Sequence, residues 1–474
     1  MNSTYTTRTY TYAERPTAYA AVSRLRRDAS LTGGSIESPI GVFQLKDLPP
    51  GAGAALRAVA EGERPEAELT ALVAEGDGLT GLMRWNLLWR RLDAAGLLEH
   101  AVRDDSGTVV ARLCPVGRGA TALVPAPAGP VRLSRFAEAR VSGGAVTLCA
   151  PGRPLAVELA PAAAGLLGEL ADWTDGVPPE LLRLLSTAGL LAPGGPDSDP
   201  ENTEQAYVQW DPADLAFHAR TRTPAANRGY GGTYRHADRF PPEPAAAPPG
   251  GLRTLALPVP DLAAVAAGEN SLTEVLEQRK SVREHDAQAP LTRDQLGELL
   301  YRTLRIRGVF TDPQGQELAD RPYPSGGAVH ELEVYPLVTA CEGVEPGLWR
   351  YAADRHELEL VAEPGPATAA LVKEARGATM MDGDPQVVLL VAARFGRVMW
   401  KYETVAYPLI LKHVGVLYQT LYLVGTSMGL AVCALGGGDT SGFAAATGRD
   451  PFLEGTVGEL VIGSRPPAAH GAEG

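Results

Sequence analysis

A lysine and a tyrosine stand side by side at Lys401 and Tyr402, just ahead of the long apolar run "YPLILKHVGVLYQTLYLVGTSMGL" (407–430). A free phenol titrates near about 10 and a free amine near about 10.4, so neither is a base at neutral pH without help. A nearby ammonium lowers a phenol's pKa, and desolvation lowers a lysine's. Facing one closed pocket, the two could abstract a proton. In an extended segment they would point to opposite sides and merely cover the start of a helix.

Three further stretches carry residues of chemical interest. "QRKSVREHD" places Arg279, Lys280, Ser281 and Arg283 directly after a helical segment. Cations around one hydroxyl suit a phosphate, and they also suit a solvated basic turn. "RPYPSGGAVHELEVY" (321–335) contains the tight loop Ser325, Gly326, Gly327 ahead of a strand. Paired glycines let backbone amides approach a flat ligand, although an ordinary turn would look the same. "CALGGGDTSGF" (433–443) exposes the amides of Gly436, Gly437 and Gly438, which suit a heterocycle's polar edge or a phosphate. The GxGxxG spacing of a dinucleotide site is absent.

These stretches need a frame. Residues 256–474 read as a compact α/β region, with strands at 332–340, 386–394 and 457–463 and helices at 272–278, 292–303 and 408–428. Pro408 suits the first turn of the last helix, and apolar residues on nearly all sides predict a buried central helix. Residues 195–255 are rich in Pro, Gly and Ala and read as a linker, relieved by a short helix within 207–222.

The first half carries a faint repeat. Residues 23–62 and 131–173 each read as strand, turn, strand and alanine-rich helix. "LDAAGLLEHAV" (92–102) and "LLSTAGLLAP" (184–193) then repeat a helix end, with a glycine stop after Ala95 and Ala188. A hairpin is expected to turn at Asp105-Ser106-Gly107. The pattern predicts two small winged-helix-like modules, 22–120 and 130–194. They are either packing units or peptide-docking units that accept an extended strand. Glu61, Glu63, Glu66, Glu68, Glu75 and Asp77 cluster in the first module where phosphate contacts would need cations, which argues against an acidic winged-helix regulator on nucleic acid.

With 474 residues, two to four domains are expected. The net charge of −13 argues against nucleic-acid or anionic-membrane binding. The N-terminal stretch has no apolar core of a signal peptide, and runs such as "VVLLVAA" (387–393) are too short to span a bilayer. Cys114, Cys149, Cys341 and Cys433 form no CxxC pair, so neither zinc nor a disulfide scaffold is expected, and a cytoplasmic location follows.

Taken in order, "RKSVREHD", "RPYPSGGAVHELEVYPL", "GLWRYAADRHELELV", "KYETVAYPLILKHVGVLYQTLYLVGTSMGL" and "GGGDTSGFAAATGRDPFLEGTVGELVIG" resemble the nitroreductase-like flavoproteins over 272–465. Within them the chain is similar to azoline dehydrogenases of the SagB type, which mature ribosomally made peptides. "VQWDPADLAFHARTRT" resembles the segment that precedes the catalytic domain in that group. The front modules are similar, more weakly, to winged-helix peptide-recognition domains.

The resemblance implies an α+β architecture, FMN as cofactor and a homodimer with the flavin at its interface. It places Arg279, Ser281 and Arg283 on the phosphate and ribityl chain, and Ser325, Gly326 and Gly327 along the ring. It puts Gly436 or Gly437 near flavin N5. It gives Lys401 and Tyr402 the catalytic role: one removes the proton beside the carbonyl as a thiazoline or oxazoline becomes its azole, and a hydride leaves for the flavin. Tyr402 is expected as base and Lys401 as its activator, with exchange of roles open. An azoline-bearing precursor peptide and a cyclodehydratase are the implied partners. Where the group carries a basic residue after the tyrosine of the long helix, this chain has Pro408 after Tyr407. A nitro- or quinone reductase using NAD(P)H, and a non-catalytic peptide-docking subunit, are the competing expectations.

Overall fold

The computed structural model describes residues 18–467 apart from 118, 143, 164 and 223–228. The chain divides into two units, with the boundary between Gly229 and Tyr230.

In the first unit the two repeats share one sheet. Its six antiparallel strands run in the order Tyr19–Leu25, Leu98–Asp104, Val109–Pro115, Leu155–Leu159, Ala145–Cys149, Glu138–Ser142. The strand closing the first repeat therefore pairs directly with one from the second, Cys114 opposite Ala156. Both helix stops occur as expected: Gly96 and Gly189 each take φ +70°, a conformation that side chains with a Cβ resist. The hairpin joining Leu98–Asp104 to Val109–Pro115 turns at Asp105-Ser106-Gly107, where Asp104 accepts from the amides of Ser106 and Thr108.

Helices Pro50–Glu61 and Glu66–Ala94 pack in the first repeat around Leu56, Val59, Leu69 and Val73, with a break in the second at Gly78. Asp77 accepts from the amides of Gly51 and Ala52, each at 2.7 Å, and so caps the neighbouring helix's free N–H groups. The 207–222 stretch forms two helices, Gln205–Val208 and Pro212–Arg222. Pro212 starts a new helix because it cannot donate to a preceding turn.

The second unit is built on a seven-stranded antiparallel sheet. Its order is Thr254–Ala256, Glu357–Ala362, Gly347–Ala352, Leu332–Val338, Val387–Arg394, Glu454–Ser464, Leu430–Ala434. Every residue of Leu332–Val338 and Val387–Arg394 is buried, because helices cover both faces. Leu332, Val334, Leu389 and Val391 face Arg293–Leu304 and the long helix Ala406–Ser427. Tyr335, Leu337, Val388 and Leu390 face Pro366–Thr379 and Thr440–Thr447. Such strands read as unbroken apolar runs. Helix starts carry local signals: Ser271 with Glu274 and Thr292 with Gln295 form capping boxes.

Two expectations need correction. The long helix is not buried all round: Ile410, His413, Val414, Leu417 and Leu421 are buried, whereas Tyr407, Leu411, Lys412, Gly415 and Gln419 are exposed along one stripe. Nor are residues 230–256 a free linker. Gly231–Gly232 pairs with Tyr402–Glu403, Trp400 donates to the Phe240 carbonyl, and Thr254–Ala256 joins the sheet edge. Arg394 and Arg397 donate to the carbonyls of Glu243, Pro244 and Ala245. Proline leaves a segment short of N–H donors, and the fixed donor forks of arginine satisfy the carbonyls that remain. No helix among the described residues is long and apolar enough to cross a membrane.

Candidate functional site

Lys401 ends the short helix Phe395–Lys401, and Tyr402 opens the two-residue strand that follows. Both turn toward the Ser325–Gly327 loop. Gly327 has φ +62°, and a Cβ there would strike the Tyr402 hydroxyl and lie 3.3 Å from Lys401 Nζ. Glycine is therefore required twice over, by its backbone conformation and by the space. The loop itself is held from the long helix. His413 Nε2 accepts from the Gly326 amide at 2.7 Å, and His413 Nδ1 donates to the buried Glu331 at 2.8 Å. Those two bonds fix the imidazole tautomer. Ser325 Oγ accepts from the His330 amide at 3.1 Å.

The ammonium of Lys401 has partners that the sequence reading did not supply. Asp312, in the turn between strands Gly308–Thr311 and Glu317–Asp320, accepts from Lys401 Nζ and from the Tyr234 hydroxyl, each at 3.3 Å. Its other oxygen accepts from the amides of Gln314 and Gln316 at 3.0 and 2.9 Å. Burial acts to raise the Asp312 carboxyl, but these amides and the ammonium hold it below its ordinary range. Burial acts to lower the Lys401 amine, yet the Tyr234 hydroxyl, Asp312 and Tyr402 together keep it above its ordinary value. Lys401 is thus a held cation, 5.8 Å from the centre of the Tyr402 ring.

The remaining candidates gather farther along the long helix, around Tyr422. Its hydroxyl bonds Ser281 Oγ at 2.8 Å and accepts from the Ala434 amide at 2.8 Å, while the Arg279 guanidinium lies 5.4 Å over its ring. One phenol thereby ties the basic turn to the start of the triple-glycine loop. Arg283 and Lys280 are exposed in the same basic turn. A cavity of about 390 Å³ follows, lined by Gly436, Gly437, Gly438, Val414, Tyr418 and Glu459. The structure therefore forms two clusters, Lys401, Tyr402, Ser325, Gly326 and Gly327 around His413 and Arg279 with Ser281 around Tyr422, and it places Gly436 and Gly437 in the cavity lined by Val414 and Tyr418, which lie between those two anchors along the helix. Nine residues of helix separate their anchors, about 13 Å at the usual rise.

The second cluster and this cavity together fit a phosphorylated flat heterocycle. They offer cations and a hydroxyl at one end, and at the other open space over Gly436 and Gly437, where an added Cβ would meet nothing. Among the described residues no group of three His, Cys, Asp or Glu stands together to hold a metal.

Sequence reasoning missed Asp312, Tyr234, His413 and Glu459. Each acts through a contact remote in sequence, and only the "DPQG" turn around Asp312 had a local signature.

Residues 276–463 match the model of the family described as Nitroreductase. The chain is 31% identical over 186 residues to a protein named "Putative nitroreductase MJ1384" from Methanocaldococcus jannaschii, covering 39% of this chain and 84% of that protein. Among solved structures it is similar to a putative nitroreductase from Ralstonia eutropha: 24% identity, 48% of this chain, 100% of that chain, TM-score 0.34. It is also similar to a chain of the E. coli microcin synthetase McbBCD complex with truncated pro-MccB17 bound: 22% identity, 54% of this chain, 95% of that chain, TM-score 0.34. With a relative matched at that identity over most of its own length, the chain belongs, through its C-terminal unit, to the nitroreductase family.

Proposed function

We propose that this protein is an FMN-dependent oxidoreductase that converts thiazoline or oxazoline rings of a ribosomally made peptide to thiazole or oxazole. The observation that carries the reading is the convergence of the Tyr402 hydroxyl and the Lys401 ammonium on Gly327. A small-molecule reductase working by cofactor chemistry alone has no need of a phenol and a held cation at one point. The motif order over 272–465 supports the same conclusion.

Arg279, Ser281 and Arg283 would hold the FMN phosphate and ribityl chain, and Gly436, Gly437, Ser325, Gly326 and Gly327 would flank the ring. When bound, FMN supplies the two-electron acceptor for the ring oxidation. The chain's own residues handle the proton. Tyr402 takes it from the ring carbon beside the carbonyl, as general base. Lys401 serves as the cation beside it, because Asp312 and Tyr234 keep it charged. On this reading Tyr402 is the base and Lys401 its charged neighbour, roles that the sequence leaves interchangeable.

A homodimer would cover the exposed stripe at Tyr407, Leu411, Gly415 and Gln419, and would bring the loop cluster of one copy to the phosphate cluster of the other. The first unit would dock the precursor peptide, with a cyclodehydratase supplying the azoline. The test is mass spectrometry of an azoline peptide incubated with the protein. Loss of two hydrogens per ring supports the reading. An unchanged peptide, with rapid NADPH-driven reduction of a quinone, replaces it with the reductase.

A further inference from the structure

Glu459 sits in the strand Glu454–Ser464, opposite Leu390, and lines the triple-glycine cavity. It is 5% exposed, and its Oε1 has no hydrogen-bond partner among the described residues. A Cβ at Gly438 would run into its carboxyl group, so the third glycine of the loop exists in contact with this side chain. A buried carboxylate with an unpaired oxygen is costly, and such an acid keeps its proton or awaits a ligand.

The groups facing it come from every element around the cavity. Tyr418 projects from the long helix, Thr456 from Glu459's own strand, Asp439 from the N-cap of Thr440–Thr447, and Glu374 from Pro366–Thr379. None of these is a cation. Burial pushes the Glu459 carboxyl up to about 7, Glu374 and Asp439 push the same way, and only the Thr456 hydroxyl opposes them.

We propose that Glu459 is a hydrogen-bond donor of this cavity, recognising an acceptor on the polar edge of a flat heterocycle seated over Gly436–Gly438. The inference rests on the reading that this heterocycle is FMN. It adds a selectivity: the carboxyl group favours a ring that presents an acceptor, and it does so only while it carries its proton. Binding is thereby coupled to pH through a residue separate from Lys401 and Tyr402.

The experiment titrates FMN into full-length wild type, Glu459→Gln and Glu459→Ala at pH 6 and pH 8, following flavin fluorescence, with circular dichroism as the folding check. Glutamine keeps a donor at both pH values and shares any titration of the FMN phosphate. The difference between wild type and this variant therefore reports Glu459. Expected are equal affinities for these two at pH 6, a further loss of about tenfold for wild type alone by pH 8, and about tenfold weaker binding by the alanine variant at pH 6. Wild type and Glu459→Gln with the same pH dependence, or Glu459→Ala matching wild type at pH 6, overturn this inference alone. Folded wild type that takes up no FMN at either pH overturns it together with the proposed function.

Discussion

Lys401 is surrounded by groups that favour its charge, and this decides what it can do. With Asp312 and Tyr234 in place, an amine that burial alone would push toward neutrality stays an ammonium. Asp312→Asn should lower the lysine's pKa, since removing an opposite charge disfavours the cation. The alkaline limb of kcat/KM should move down with it, as a pH–rate profile would reveal. Lys401→Ala and Tyr402→Phe should each cost at least about 100-fold in azole formation while flavin content is kept, and full turnover in both would remove the pair from the reaction. Glu459 carries a stability consequence of its own. Its folded pKa of about 7 lies above the ordinary 4.5, so its contribution is complete below about 4.5 and is lost as pH rises to about 7. Urea titrations of Glu459→Gln should lack that decline.

At the scale of elements, the site depends on one loop and one strap. Gly327 combines a left-handed backbone with a hydroxyl where a side chain would go. Gly327→Ala should destabilise the protein by about 1–3 kcal/mol and displace Tyr402, which thermal unfolding and activity would register together. The strap 230–256 hangs on buried guanidiniums. Arg397 donates to Val329, Glu243 and Glu317 carbonyls and is fully buried. Arg397→Met should cost roughly 3 kcal/mol or more in urea unfolding, because several buried carbonyls lose their partner at once. Composition could not distinguish this strap from a linker. Prolines and alanines look alike in both, and the arginines that bind the carbonyls lie about 150 residues away in sequence. The capping boxes at Ser271 and Thr292, by contrast, were legible because cap and partner lie three residues apart.

For the whole molecule, the boundary between Gly229 and Tyr230 separates two units with hydrophobic cores of their own. A chain starting at Tyr230 should fold and retain flavin yet process a leader-bearing azoline peptide at least several-fold more slowly, while a leaderless peptide is processed equally well. Equal rates on both peptides would remove the docking role from the first unit. The winged-helix expectation came from the repeat, and local features of it are present: the glycine stops and the hairpin. That the repeats would share six strands was not legible, since strand pairing across Val109–Pro115 and Leu155–Leu159 leaves no trace in either segment's own pattern.

By itself the sequence determined the family fold of the C-terminal unit, the helix-stop glycines Gly96 and Gly189, and the adjacency of an amine and a phenol. These signals are short-ranged: apolar runs, caps, turns and ordered motifs survive in any window of a dozen residues. Only the tertiary structure decided the charge on Lys401, the grip of His413 on the glycine loop, and the buried acid behind Gly438. A pKa or a cavity is set by what lies within a few ångströms, and those neighbours come from 89 residues away for Asp312 and 87 for His413 and Gly326.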